Sequence, residues 1–278
     1  MNLPLLDYAA TERKTGGIWD YISPSRLNTW LRCPLAWKLR YIDGIRTPTS
    51  PALFLGKMVH HALEILYRHR QLCMELSAED VASRMVEDWD ETVEMEAMDF
   101  DSAEAEGALK KQAVDLVAAY MAHTEDTSET PLAVETSMEE PLVDPDTGED
   151  LGIPLLGIVD LIADSRDGPS IIDFKTAARS SPPHEITHEI QLSSYAYLFR
   201  QATGDEEGGL EIRSLIKTKK PKIEFHTYQA RSAVHFRRLF TVVRAYLDDL
   251  DTGRFVFRPG FGCAMCDHRG ASCRDWAG

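Results

Sequence analysis

The stretch SIIDFKTAA, residues 170–178, places an aspartate and a lysine one residue apart at the end of an apolar run. Side chains alternate across a β-strand, so Asp173 and Lys175 face one side of the predicted strand while Phe174 faces the other. A carboxylate and an ammonium group at the tip of a buried strand are costly unless they pair or meet a metal ion. The stretch therefore predicts either a strand-end salt bridge or a functional site.

A second carboxylate occupies a comparable position one strand earlier. The segment GIVD, residues 157–160, ends in Asp160, and neighbouring strands would bring Asp160 close to Asp173. Two like charges in one cleft repel each other, and a divalent cation removes that penalty. Oxygen ligands with room for water favour Mg²⁺ or Mn²⁺ over Zn²⁺. Lys175 is then free to position a water or to stabilise charge on a phosphate, which predicts a hydrolytic site for phosphodiesters.

The periodicity along the chain predicts an α/β fold with a mixed sheet. Helices come first, followed by three strands, a helix, two strands and a last helix. Ser23 or Ser25 caps the first helix, and Pro34 is expected to kink it. The predicted helices cover residues 26–42, 52–69, 78–97, 104–123, 185–202 and 230–251, and the predicted strands cover 132–143, 153–164, 167–176, 210–218 and 222–230.

The charge of the chain is unevenly distributed. A net charge of −15 argues at first against a nucleic-acid partner, because phosphate binding depends on Lys and Arg. Residues 75–150, however, hold 24 acidic and three basic side chains, whereas the remainder holds 21 acidic and 27 basic ones. An acidic helical segment attached to a mildly basic body is therefore compatible with DNA binding.

Two further motifs lie on predicted helices. Gly56 and His60 form G-x-x-x-H, with His61 as an alternative histidine, and Gln191 and Tyr195 share one helical face. In chain order, G-x-x-x-H, G-x-x-D, D-x-K and Q-x-x-x-Y resemble the RecB-like branch of the PD-(D/E)XK nuclease superfamily over nearly the whole chain. The resemblance implies a restriction-endonuclease-like core with a mixed central sheet flanked by helices, a helical insertion and a C-terminal cysteine-rich cluster region.

The same resemblance implies a role for each motif residue. The second acid is Asp rather than the frequent Glu, and Asp160 follows Val159 rather than Pro, but neither departure removes a ligand. Glu135, on the preceding strand, is a weaker candidate outside the core set. The implied roles are metal ligands for His60, Asp160, Asp173 and the backbone carbonyl of Phe174, the catalytic lysine for Lys175, and orientation of the site or of the DNA strand for Gln191 and Tyr195.

Four of the five cysteines lie near the chain ends, in a C-x2-C-x6-C tail and one upstream position. In a reducing compartment such thiols indicate metal ligands rather than disulfides. Their spacing fits zinc and an iron–sulfur cluster equally well. The arrangement resembles the cluster of AddB-type helicase-nucleases and CRISPR-associated RecB-like exonucleases, which implies a structural [4Fe-4S] cluster. Cys73 is interpreted as a small apolar residue. The implied cluster ligands are Cys33, Cys263, Cys266 and Cys273.

Several side chains are candidates for contacts to DNA. The lysines of the segment IKTKKPK, residues 216–222, are candidates for phosphate contacts, and three aromatic residues could stack on bases, although core packing is expected for at least two of them. Three arginines of the last helix would extend the basic surface. These candidates are Lys217, Lys219, Lys220 and Lys222; Trp30, Trp37 and Tyr41; and Arg237, Arg238 and Arg244.

Together these features predict one nuclease domain, residues 1–278, with N-terminal helices at 20–76, an acidic insertion at 77–130, the core at 131–228 and the cluster region at 229–278. The expected function is a Mg²⁺- or Mn²⁺-dependent exonuclease on single-stranded DNA ends, of the CRISPR adaptation type. The expected partners are DNA and either CRISPR adaptation proteins or a helicase. The alternatives are a nuclease of DNA repair or phage replication with a helicase partner, and a non-catalytic iron–sulfur DNA-binding protein.

Two kinds of sequence pattern are missing from the chain, and this narrows the expected class of nuclease and its expected location. The sequence contains no helicase P-loop, G-x-x-x-x-G-K-[ST]. It contains no apolar run of about 18 residues, and its N-terminus lacks the pattern of a signal peptide. A cytoplasmic protein without a membrane partner is therefore expected.

Overall fold

A computed structural model describes residues 14–125, 127, 129–180 and 184–276. Short 3₁₀ helices cover Gly17–Trp19 and Phe261–Met265. The α-helices are α1 (Pro24–Arg32), α2 (Pro34–Tyr41), α3 (Pro51–Gln71), α4 (Ala78–Glu87), α5 (Trp89–Met95), α6 (Ala103–His123), α7 (Glu185–Thr203), α8 (Ala233–Thr252) and α9 (Ala271–Arg274). The strands are β1 (Pro131–Val143), β2 (Asp150–Ala163), β3 (Ser170–Ala177), β4 (Gly209–Ile216) and β5 (Lys222–Tyr228).

The five strands form one mixed sheet in the order β1-β2-β3-β4-β5. Strands β2 and β3 are antiparallel, with Leu161 opposite Ile172, and β4 and β5 are also antiparallel. Strands β3 and β4 are parallel. The chain passes through α7 after β3, and this crossover returns it to the edge of the sheet where β3 begins. The predicted α/β fold with a mixed sheet is confirmed.

The residues divide into two compact units. Among the described residues, the first unit comprises 14–45, 139–157 and 233–276, and the second comprises 46–138 and 158–232. The division falls within β1 and β2. The assignment of the whole chain to one domain stays a prediction.

In the second unit, the apolar face predicted for α3 is buried. The acidic helices α4 to α6 contribute to the same hydrophobic cluster through Val81, Trp89 and Val117. No described helix combines the length and apolar character needed to cross a membrane. The buried residues of the α3 face are Leu55, Met58, Val59, Ala62, Leu63 and Leu66.

Two predicted helices are each divided in the structure. The expected kink at Pro34 is a complete break between α1 and α2, with Cys33 extended at φ −165° and ψ 110°. Proline excludes helical geometry from the preceding residue and favours the first position of a new helix. Ser23 caps α1 by accepting a hydrogen bond from the Arg26 amide. The helix predicted at 78–97 is divided at Asp88, whose ψ is −1°.

Two tryptophans of the first unit pack in its core. Trp37 is fully buried and packs edge-on against Tyr246, with ring centroids 5.4 Å apart. The Trp30 indole donates a hydrogen bond to Asp249 at 3.0 Å. Both tryptophans therefore have the expected core role, and base stacking by them is not supported.

A buried polar network fixes the sheet of the second unit against α3 and α6. Arg213 of β4 is 5% exposed and donates to the Tyr67 and Tyr120 hydroxyls at 2.9 and 2.8 Å. Its guanidinium also pairs with Glu129 and, at 3.0 Å, with Glu211. A buried guanidinium whose N–H groups are hydrogen-bonded in this way holds the surrounding helices and strands in one arrangement.

Replacing Arg213 tests how much this network contributes to the free energy of unfolding. We expect Arg213→Met to lower the free energy of unfolding by about 3–5 kcal/mol, because two carboxylates lose their buried partner. Tyr120→Phe, which removes one hydroxyl and leaves the ion pairs, should cost about 1 kcal/mol. Urea denaturation followed by circular dichroism measures both, and equal stability of the two variants would contradict the assignment.

Candidate active site

The antiparallel pairing of β2 and β3 brings two carboxylates together, both from within the strands. Asp160 Oδ2 accepts a hydrogen bond from the Phe174 amide at 2.7 Å, directly beside Asp173 in the chain. The strand register, with Leu161 opposite Ile172, places the two aspartates at neighbouring positions. The convergence predicted from the two motifs is therefore present in the fold.

Asp173 is held from two sides. Its side chain is almost fully buried, and Lys175 Nζ lies 2.7 Å from Oδ2. The Gln191 amide nitrogen donates to Asp173 Oδ1 at 2.7 Å and to the Tyr195 hydroxyl at 3.0 Å. Gln191 and Tyr195 lie one turn apart on α7, so the helix presents both to the carboxylate. The predicted motif residues Asp173, Lys175, Gln191 and Tyr195 thus form one connected group.

The structure separates the two adjacent histidines of α3. His60 Nδ1 lies 3.5 Å from Asp160 Oδ1, whereas His61 Nε2 lies 2.7 Å from Asp88. Gly56, one turn before His60, faces Thr176, and a Cβ at position 56 would lie 3.1 Å from the Thr176 hydroxyl. The glycine of G-x-x-x-H therefore permits close approach of α3 to β3, and this approach places His60 at the site.

Glu135 of β1 joins this group more closely than its sequence pattern suggested. One ligand atom from each of His60, Glu135 and Asp160 lies within 4.8 Å of the others. Asp173 is outside that set of three. Glu135 has a φ of +44°, a left-handed conformation that is unfavourable for a non-glycine residue in a strand. A strand pattern alone gives no sign of this local distortion. From the sequence, Glu135 is therefore only a weaker candidate for a metal ligand.

Two acids and one histidine of the site have raised pKa values. Burial, opposed by Lys175 and reinforced by Asp160, raises the pKa of Asp173 to about 6. Burial and the charge of Asp160 raise the pKa of Glu135 to about 7. Burial lowers the pKa of His60, but the hydrogen bond and charge of Asp160 raise it further, and the net shift is upward. Crowded acids with raised pKa values are stabilised by an added positive charge.

The donor set fits a divalent cation. Asp173 Oδ2 is buried and accepts no hydrogen bond of ordinary geometry from the described residues, although the Lys175 ammonium is near it. Carboxylate oxygens and one imidazole are ligands that suit Mg²⁺ or Mn²⁺. His60, Glu135, Asp160 and Lys175 line a cleft of about 690 Å³ together with Phe174 and Lys217, whereas Asp173 is buried and does not line it.

The four predicted cluster cysteines line one cavity of about 490 Å³ in the first unit. Burial, followed by the charges of the other three thiols, raises the pKa of Cys273, so the four thiols lie near one another. Backbone amides of Arg258 and Gly260 donate to Cys33 Sγ and Cys263 Sγ, both at 3.4 Å. Cys73 lies exposed in the turn after α3, outside this cavity.

The predicted DNA-contacting side chains have different surroundings. Lys217 lines the cleft, whereas Lys222 pairs with Glu224 at 3.0 Å. In the first unit, Arg237 pairs with Asp146 at 3.1 Å and Arg244 with Asp144 at 2.6 Å. These arginine charges are balanced by carboxylates, which weakens their predicted contribution to a basic surface.

Comparisons with known proteins agree with this geometry. The crystal structure of a "putative exonuclease" from Eubacterium rectale matches with a TM-score of 0.58 at 16% identity, covering 100% of this chain and 94% of that one. A crystal structure of SSO0001 matches with a TM-score of 0.43 at 13% identity, covering 90% and 84%, and carries no argument. No curated protein sequence matches. The model of the PD-(D/E)XK nuclease superfamily matches residues 21–274, and the chain therefore belongs to that superfamily.

Proposed function

We propose that the chain is a divalent-metal-dependent DNA nuclease whose active site is the cleft around Asp160, Asp173 and Lys175. The observation that carries this proposal is the convergence of two carboxylates from adjacent strands beside one ammonium group. A strand-end salt bridge would need only Asp173 and Lys175. It gives no reason for Asp160, Glu135 and His60 to crowd the same cleft, or for the raised pKa values of Glu135 and His60.

The cleft residues divide into ligands and positioning groups. His60, Asp160, Asp173 and the Phe174 carbonyl would hold the cation, with Glu135 as a further ligand. The bound cation supplies charge neutralisation at the phosphate and lowers the pKa of a water. Lys175 holds a positive charge where negative charge develops on the phosphate. Gln191 fixes the orientation of Asp173 and, through the same amide nitrogen, contacts Tyr195.

The finer assignment is an exonuclease that acts on single-stranded ends in CRISPR adaptation. It is supported by the resemblance of the motif set to RecB-like nucleases and by the name of the Eubacterium rectale protein. Digestion of linear but not circular single-stranded DNA would support exonuclease action on ends. Adjacent integrase-type adaptation genes would support the CRISPR role, whereas a neighbouring helicase gene would favour repair or phage replication.

We further propose that Cys33, Cys263, Cys266 and Cys273 bind a structural [4Fe-4S] cluster. A tetrahedral zinc site holds its sulfurs about 3.8 Å apart, because Zn–S bonds are about 2.3 Å long. Among the described residues, no three of these sulfurs lie within 4.8 Å of one another. The wider spacing, the cavity of about 490 Å³ and the two amide-to-sulfur hydrogen bonds favour the larger cofactor.

Substitution of the central pair tests the nuclease proposal. Asp173→Asn and Lys175→Ala should each lower cleavage of end-labelled single-stranded oligonucleotides in Mn²⁺ by about 10³-fold, because each removes a charge from the reacting centre. The matched controls are Asp164→Asn and Lys111→Ala, whose exposed side chains lie outside the cleft. Full activity of both cleft variants would refute the site. Wild-type protein that binds DNA but cleaves none with any divalent metal would favour the non-catalytic alternative.

The role of Glu135 is tested separately by metal dependence. Glu135→Gln should raise the Mn²⁺ concentration for half-maximal cleavage by about 10–100-fold, the range found when a group that supports a metal is removed. Glu139→Gln changes an exposed glutamate of the same strand and should leave that concentration unchanged. An unaltered Mn²⁺ dependence of Glu135→Gln would show that its carboxylate takes no part in binding the cation.

Iron analysis tests the cluster proposal. Anaerobically purified wild-type protein should be brown and contain about four iron atoms per chain, as the proposed cluster requires. Cys263→Ala should lose the colour and lower the melting temperature, whereas Cys73→Ala should change neither, since Cys73 lies outside the cavity. A colourless wild type with one bound zinc would refute the cluster.

A further inference from the structure

Lys217 lies in the candidate active-site cleft but outside the set of motif residues. It follows β4 directly and lines the same cavity as His60, Asp160 and Lys175. The side chain is half-buried, and burial lowers the pKa of its ammonium group. A desolvated cation of this kind is stabilised by an anion that enters the cleft.

The three lysines of the cleft differ in how their charges are balanced. Lys57 forms an ion pair with Glu96, and Lys175 forms one with Asp173. The Lys217 side chain makes neither an ion pair nor a hydrogen bond with any residue that the structure describes. Among the described lysines of the cleft, Lys217 is therefore the one whose charge no protein carboxylate balances, and it can pair with an anion of the substrate.

The position of Lys217 is fixed by the sheet rather than by the following turn. Its backbone amide donates to the Ala177 carbonyl at 2.7 Å, and the preceding Ile216 pairs with Ala177 in the parallel ladder. Ala177 lies two residues beyond Lys175, which corresponds to about 6.6 Å along a strand. Lys220, by contrast, is exposed in the turn between β4 and β5. Lys217 is thus placed to contact a group beside the one at Lys175.

We propose that Lys217 binds a backbone phosphate of the nucleic-acid strand next to the phosphate that is cleaved. This inference rests on the proposed nuclease function, which commits the acids of the cleft to the cation and leaves Lys217 to the substrate. Phosphate contacts set the register of a strand in a protein without reading its sequence. Lys217 would therefore position the strand, and substrates of any sequence would depend on it equally.

The test measures DNA binding apart from cleavage. Binding of a fluorescein-labelled single-stranded oligonucleotide is titrated at several salt concentrations in Mn²⁺, in an Asp173→Asn background that should not cleave. Adding Lys217→Ala should weaken binding about tenfold near 0.1 M salt and reduce the slope of log K against log salt by about one. Adding Lys111→Ala, at an exposed lysine of α6 outside the cleft, should leave the slope unchanged, and Lys217→Arg should restore it.

Steady-state cleavage by the otherwise wild-type protein supplies the second measurement. Lys217→Ala should raise KM by about tenfold for oligonucleotides of different sequence while kcat changes less than about threefold, as expected for lost strand binding. Binding slopes equal for the Lys217→Ala and Lys111→Ala proteins would overturn the inference, whatever the cleavage result. A Lys217-dependent slope in a protein whose wild type cleaves nothing would support the phosphate site and refute the proposed function.

Discussion

The active-site cleft depends on the burial of the Asp173 carboxylate beside Asp160. Burial alone makes a charged carboxylate costly, and a second carboxylate nearby increases that cost. Lys175 and Gln191 offset part of it through contacts of 2.7 Å each. The remaining imbalance appears in the raised pKa of Asp173, about 6. A divalent cation would remove this imbalance, so the repulsion between the two carboxylates favours metal binding.

Phe174 links this cleft to the core of the second unit. Its amide holds Asp160, while its ring stacks on Tyr67 with centroids 5.8 Å apart and contacts Tyr120 edge-on. Arg213 lies opposite Phe174 in the ladder and donates hydrogen bonds to the hydroxyls of both tyrosines. One residue of β3 therefore joins the packing on one face of the sheet to the carboxylates on the other.

Much of this arrangement was predictable, because it follows from strand periodicity and motif spacing. Alternation placed Asp173 and Lys175 on one face, and an i, i+4 spacing placed Gln191 and Tyr195 together. The part that was not predictable depends on tertiary contacts. The choice of His60 over His61 follows from the packing of α3, and the contribution of Glu135 follows from a positive φ within β1. Three partners of Arg213, namely Tyr67, Tyr120 and Glu129, come from other segments of the chain, and no local pattern indicates them.

The most direct measurement is the anomalous scattering of Mn²⁺ in crystals of the protein. The account predicts one strong peak within about 2.3 Å of carboxylate oxygens from both Asp160 and Asp173, at distances usual for oxygen ligands of such cations. A peak bound by His60, Glu135 and Asp160 alone, with Asp173 still paired to Lys175, would contradict the shared-cation site. The absence of any peak in the cleft at saturating Mn²⁺ would contradict metal binding there altogether.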